Sequence, residues 1–275
     1  MIGQVEKLQK ILGSRETRRT INKNIIAFSS GKGGTGKTFI SVNIAHSLSH
    51  DGYRVLFIDF DSNLSNADIL LNISPRETII DYFLGKSLLE NVITKGYGNI
   101  DFIFGDSGRM EFPKLNVDII GRFINNLERI SNNYDYIIID TGAGINFEIT
   151  YLLTKVHVNV FVSTPEPTSI MDTYAVIKML SQKAKDYDNY VVINSCDSEE
   201  QALEAFNNLN TALGHFLKTS AEFLGCVYFD RLVRKSIIDQ TLFLNTFAKT
   251  EISYQLKAIS TKLAGWRQMA NINQG

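Results

Sequence analysis

The sequence predicts an α/β protein: one domain built on a twisted, mostly parallel sheet of about seven or eight strands with helices on both faces. Three observations predict it. Short apolar runs at 25–28, 54–58, 134–139 and 156–162 read as strands, and the one at 134–139 is of the continuous kind expected of a strand buried on both faces. Segments with apolar residues at helical spacing, such as 39–48 and 117–130, fall between them. Several runs end in Asp, Asn or a glycine turn, and the carboxyl ends of parallel strands are where open sheets of this kind place ligands.

The bounds agree. At 275 residues the chain is long for one domain, yet open α/β sheets commonly reach this size as one unit. Apolar residues make up 44% and charged residues 21%, a globular balance, and the net charge of -1 gives no global attraction to nucleic acid or anionic lipid. Binding of either kind must come from a local patch or from dimerisation. Cys196 and Cys226 have no metal-site spacing and do not make a disulfide framework, which implies a reducing cytoplasm. No run approaches the roughly 18 apolar residues that cross a bilayer, and Glu6, Lys7 and Lys10 interrupt any secretory signal.

Taken in order, Ile2, Val5, Leu8, Ile11 and Leu12 share one face of a predicted helix ending at Gly13, followed by a basic linker with Arg15, Arg18, Arg19 and Lys23. This divides the chain into an arm at 1–24, a domain at 25–270 and a tail at 271–275. A docking helix on a solvated tether and a partner-binding element fit the arm equally well.

The first strand runs into Gly31-Lys32-Gly33-Gly34-Thr35-Gly36-Lys37-Thr38 and then a helix. Strand, glycine loop and helix are the setting that the phosphate-loop pattern G-x-x-x-x-G-K-[ST] requires. The glycines let successive N–H groups point at a phosphate, and the helix adds the positive end of its dipole. Lys37 is expected to reach the β- and γ-phosphates of ATP, or the β-phosphate of ADP, and Thr38 to offer its hydroxyl to Mg²⁺. Lys32 is an additional lysine that cannot easily serve the same phosphates. Its economical use is to cross a dimer interface to the nucleotide of a second copy; otherwise it is a solvated loop residue.

The second strand ends in Asp59-Phe60-Asp61, which puts two carboxylates in the ligand crevice. Residues 76–94 alternate helix and turn signals, and 100–104 reads as a short strand. The strand at 134–139 ends at Asp140, followed by Thr141-Gly142-Ala143-Gly144. After the strand at 156–162, Thr168 or Ser169 is expected to cap a helix running to about residue 185. A strand at 190–193 ends at Asn194, 199–218 is helical, and a last strand at 224–229 leads to Asp230 and the cluster Arg231, Arg234 and Lys235. The closing helix carries Ile252, Leu256, Ile259, Leu263, Trp266 and Ala270 along one stripe, which predicts packing on the core rather than on a membrane.

GKGGTGKT resembles the deviant Walker A loop of the MinD/ParA family of dimerising P-loop ATPases, and the likeness extends over about residues 4–265. VLFIDFDSNLSN matches the family's VLxxDxDxxxxN, which implies that Asp59 is the Mg²⁺-side carboxylate, that Asp61 orients the attacking water and that Asn66 completes the segment. Asp140 and Gly142 resemble the Walker B and second switch region, with Asp140 holding Mg²⁺ through water and Gly142 bringing an N–H toward the γ-phosphate. By the same resemblance Asn194 meets the adenine edge, and the Tyr228 to Asp230 loop closes over the base. TPEPTSIMDTYAVIK is similar to the flagellar number and placement branch, known as FlhG, YlxH or FleN.

The resemblance therefore implies a slow ATPase that forms a homodimer on binding ATP. It also implies an FlhF-like GTPase as partner of the N-terminal helix, contact with flagellar basal-body components and weak peripheral membrane association. A MinD-like division-site ATPase and a ParA-like DNA-segregation ATPase using Arg231, Arg234 and Lys235 are the alternatives. The sequence departs from the branch in two places: its N-terminal DQAxxLR signature appears only as GQVEKLQ, and nine residues after Trp266 are too few for a separate membrane-targeting helix.

Overall fold

The computed structural model describes residues 24–61, 67–96, 98–106, 113–144, 146–183 and 188–272, with side-chain surroundings to residue 265. The predicted N-terminal helix, most of the linker and Asn66 lie outside the described residues.

Eight strands form one sheet. They are β1 (Ile25–Ser29), β2 (Val55–Phe60), β3 (Thr94–Lys95), β4 (Ile100–Ile103), β5 (Tyr136–Thr141), β6 (Val158–Ser163), β7 (Asp188–Cys196) and β8 (Glu222–Tyr228), in the order β3-β4-β2-β5-β1-β6-β7-β8. Every neighbouring pair is parallel except the β3–β4 edge. The four central strands β2, β5, β1 and β6 are buried at every residue, the polar Asp59, Asp140 and Asn159 included.

Two helical layers cover the sheet. On one face, α4 (Val117–Ile130), α5 (Phe147–Leu153), α6 (Pro167–Ser181) and α7 (Glu199–Ala212) bury Phe123, Leu127, Leu152, Ile177 and Leu209 against Ile137, Ile139 and Ile193. On the other, α1 (Lys37–His50), α9 (Phe243–Thr246) and α10 (Glu251–Ile272) bury Ile40, Ile44, Phe243 and Leu256 against Ile26, Phe28 and Ile138. Short helices α2 (Ala67–Leu71), α3 (Ile79–Phe83) and α8 (Arg231–Ile238) sit among the connections.

Helix α1 is sealed on nearly all sides because α10 packs over its outer face. Ile252, Leu256, Ile259 and Leu263 are at most 1% exposed, so the stripe from Ile252 to Leu263 is core. Exposing each of those side chains would cost about 1.5–3 kcal/mol, which rules out the described part of α10 as a free membrane face.

Several expected boundaries move. Strand β5 extends through Asp140 and Thr141, and β7 extends through Asn194 to Cys196, so both polar residues lie inside strands rather than after them. Continuous pairing carries the strands past their apolar runs: Asp140 pairs with Asp59, and Asn194 with Val227. Helix α6 ends at Ser181. Its N-cap is Glu166 with Pro167 in the first turn, so neither Thr168 nor Ser169 caps it. The Ser169 hydroxyl instead accepts from the Thr164 N–H at 3.0 Å and bonds the Ser163 hydroxyl at 2.9 Å. The helix predicted over 199–218 is α-helical only to Ala212, where a π-helical turn, Leu213–Leu217, takes over.

Candidate nucleotide site

The glycine loop connects β1 to α1 at the carboxyl edge of the sheet. Gly34 and Gly36 adopt φ of 80° and 83°, the left-handed region that glycine alone enters freely, and Gly36 is the N-cap of α1 without any side-chain cap. The first N–H groups of that helix are thereby left for a ligand. A Cβ on Gly33 or Gly34 would meet only open space, whereas one on Gly31 would collide with the Asp172 backbone of α6 and one on Gly36 with the Asn194 amide. The loop is thus wedged between β7 and α6 and open on its other side. Thr35, 2% exposed, leaves its hydroxyl without a partner within the protein.

Beneath the loop the charged residues converge on Asp140, whose side chain has no exposed surface. Lys37 Nζ donates to its Oδ1 at 3.0 Å, Thr38 Oγ1 to its Oδ2 at 2.6 Å and Ser41 Oγ to its Oδ1 at 3.0 Å. Asp59, 1% exposed and in register with Asp140, accepts from the Asp61 N–H through Oδ1 and from the Ala67 N–H through Oδ2, both at 3.1 Å. Asp59 and Asp140 are thus two buried carboxylates in register on neighbouring strands, with the Lys37 ammonium paired to Asp140.

No group of three or more His, Cys, Asp and Glu side chains suited to a metal occurs among the described residues. Asp59, Asp140 and the Thr38 hydroxyl are the oxygen donors that could face a metal here. Mg²⁺ fits it, being bound through one or two carboxylates together with phosphate oxygens and water.

The turn from Gly142 to Gly144 adjoins the same site. Gly144, at φ 91°, donates from its N–H to the Ser30 carbonyl at 2.9 Å, and a Cβ on Gly142 would lie 3.4 Å from Asp61 Oδ1. Asp61, Gly142 and the loop therefore form one contiguous rim. Lys32 lies on the exposed side, where its Nζ donates to Thr168 Oγ1 of α6 at 3.3 Å.

The base-side residues are less concentrated. Asn194 Nδ2 donates to the Thr35 carbonyl at 2.8 Å, so one amide hydrogen already braces the loop. Tyr228 lines a cavity of about 180 Å³ at the outer edge of β8, together with Glu199, Cys226, Gln255 and Lys262. Asp230 caps α8 through a 2.8 Å bond from the Leu232 N–H. The sequence reasoning missed Ser41, Thr168 as the Lys32 partner, and Asp172. Ser41 had a signal, because it follows Lys37 by four residues and shares its helix face.

A family model described as an AAA domain matches residues 23–193. The chain is 32% identical over 247 residues to the antiactivator FleN of Pseudomonas aeruginosa, covering 90% of this chain and 88% of FleN. It is 29% identical over 223 residues to the flagellum site-determining protein YlxH of Helicobacter pylori, covering 80% and 75%. Among solved structures it superposes on MinD in the MinC:MinD complex of Aquifex aeolicus with a TM-score of 0.74 at 25% identity, over 88% of this chain and 96% of that one. The Mg-ADP complex of Pyrococcus horikoshii MinD shares the fold, with a TM-score of 0.73 at 20% identity over 89% and 98%. The glycine loop, the carboxylates under it and the match across both sequence and fold lead to one conclusion: this chain belongs to the MinD/ParA family of P-loop ATPases.

Proposed function

We propose that this chain is an ATP-dependent dimerising switch that hydrolyses ATP slowly and regulates flagellar number or placement. The carrying observation is the constellation of Lys37, Thr38 and Asp140 under the left-handed glycines. With nucleotide bound, Lys37 would move from Asp140 to the β- and γ-phosphates, Thr38, Asp140 and Asp59 would hold Mg²⁺, and Asp61 would align the attacking water beside Gly142. Bound Mg²⁺ supplies neutralisation of the charge developing on the phosphates. Lys32 leaves Thr168 and reaches the nucleotide of the second copy, so turnover is slow until dimer and partner complete the positioning.

The likeness to FleN and YlxH over 80% or more of this chain favours the flagellar assignment, because MinD relatives such as that of Emiliania huxleyi match only 58% of it. The partner of this reading is an FlhF-like GTPase engaging the N-terminal helix, with basal-body components downstream. Its location is the cytoplasm, with weak peripheral contact at the inner face of the cell membrane; no described helix is long and apolar enough to cross one.

Sedimentation tests the switch. The wild type should be a dimer with ATP and Mg²⁺ and a monomer with ADP. Lys32→Ala should bind ATP within about threefold of wild type yet stay monomeric, since an exposed hydrogen bond is worth little. A Lys32→Ala dimer would remove the cross-subunit role.

A DNA-segregating ATPase is the second reading, favoured by Arg231, Arg234 and Lys235, which are exposed on α8 and outside any ion pair among the described residues. It requires binding to non-specific DNA that weakens steeply with salt. Absence of binding at low salt with ATP excludes it.

A further inference from the structure

We infer that Ser41, which lies outside the phosphate-loop motif, is a positioning residue that holds the Asp140 carboxylate in its Mg²⁺-binding orientation once Lys37 has left for the phosphates. The inference rests on the nucleotide site proposed above and adds a residue to it.

Asp140 has two oxygens and three donors. Oδ2 is held by Thr38 at 2.6 Å, and Oδ1 is shared by Lys37 and Ser41, each at 3.0 Å. The two motif residues have duties elsewhere when nucleotide is bound: Lys37 serves the phosphates, and Thr38 must turn a lone pair to the cation while its proton stays on Oδ2. Ser41 has no such duty. It sits one helical turn beyond them on the same face of α1, with no exposed surface. Its single proton has one other acceptor, the Thr38 carbonyl at 3.1 Å, but the charged carboxylate is the stronger of the two.

When Lys37 departs, Ser41 is the donor that remains on Oδ1. Without it, a fully buried carboxylate oxygen is left unpartnered beside Asp59, a second buried carboxylate in register, and the pair repel. Asp140 then rotates about its bond to Oδ2, and that change weakens its hold on Mg²⁺. Nucleotide affinity without metal depends on the loop and Lys37 and stays as it was.

The test uses the full chain and a fluorescent ATP analogue, titrated with Mg²⁺ and also measured in EDTA. Ser41→Ala removes the donor, and Ser41→Cys nearly preserves the volume with only a weak donor. Both should raise the Mg²⁺ concentration for half-maximal binding by about tenfold, the scale of a lost hydrogen bond to a charged group, with affinity in EDTA within about twofold of wild type. An unchanged Mg²⁺ midpoint in both variants overturns the positioning role. So does an equal loss with and without Mg²⁺ accompanied by a lower melting temperature, which marks Ser41 as packing alone. Failure of the wild type to bind the analogue at any Mg²⁺ concentration overturns the nucleotide site itself, a result distinct from a wild type that binds while its variants match it.

Discussion

The two ends of the site are built differently. At the phosphate end Lys37, Ser41, Asp59 and Asp140 are at most 7% exposed, stand on the central strands β2 and β5 or on α1, and are already hydrogen-bonded within the protein. At the base end β7 and β8 form the sheet edge, their pairing is irregular between Asn194 and Cys196, Ser195 takes φ 57°, and Phe229 is 66% exposed. The phosphate end is preorganised, so on the proposed reading phosphates would exchange partners with Lys37 rather than order a loose loop. The base end braces the loop from one side and leaves the remaining surface to a ligand, a second copy or a partner.

Lys37→Ala should separate the two ends most strongly. In the nucleotide-free protein it leaves the buried Asp140 charge without its ammonium, although Thr38 and Ser41 still donate. Breaking a buried ion pair costs about 3–5 kcal/mol, and the two hydroxyls place this case at about 3 kcal/mol. ATP affinity should fall by about 100-fold through the lost charged contact. Urea unfolding and nucleotide titration measure the two effects. A variant as stable as wild type would mean that the hydroxyls alone satisfy Asp140.

Asp61→Ala touches the rim between the ends. Its backbone N–H still donates to Asp59, so folding and ATP binding should stay within about threefold of wild type. Loss of the group aligning water should slow turnover by about 10²-fold or more and accumulate the ATP-bound dimer. Phosphate release followed beside sedimentation checks this, and normal turnover would assign the water to another group.

How much was legible follows the same division. The phosphate end depends on local pattern: glycines at fixed spacing, a strand before and a helix after, and carboxylates at the ends of apolar runs. Each of those is written in adjacent residues, and Val117–Ile130 is a helix as its apolar spacing predicts. What the sequence hid depends on tertiary pairing. Nothing local says that β7 continues past Asn194 or that Asp140 lies within β5, whereas Pro167 at the start of α6 had a local signal, proline being favoured in the first turn, that the choice of Thr168 or Ser169 passed over. The Lys32 bond to Thr168 spans 136 residues and could not be read from spacing. Ser41 was readable in principle, as a serine on the same helix face as Lys37, yet a buried serine in a helix ordinarily bonds the preceding turn and does so here as well.

The smallest effect belongs to the base end, at Asn194. Its amide donates to the Thr35 carbonyl at 2.8 Å, and the residue is 8% exposed. Removing the donor leaves that carbonyl unpaired in a mostly buried place, a cost of about 1–2 kcal/mol. Asn194→Ala should therefore loosen the loop from its outer side and weaken ATP by about tenfold, with the Mg²⁺ midpoint unchanged because Asp140 and its donors are untouched. The adenine role adds a second, separable expectation. If Asn194 also meets the base edge, the variant should lose more affinity for ATP than for GTP, whereas a bracing role alone lowers both alike. Competition of the two nucleotides against one fluorescent analogue measures the difference. Equal losses would confine Asn194 to the phosphate loop and leave base recognition to the edge beyond β8.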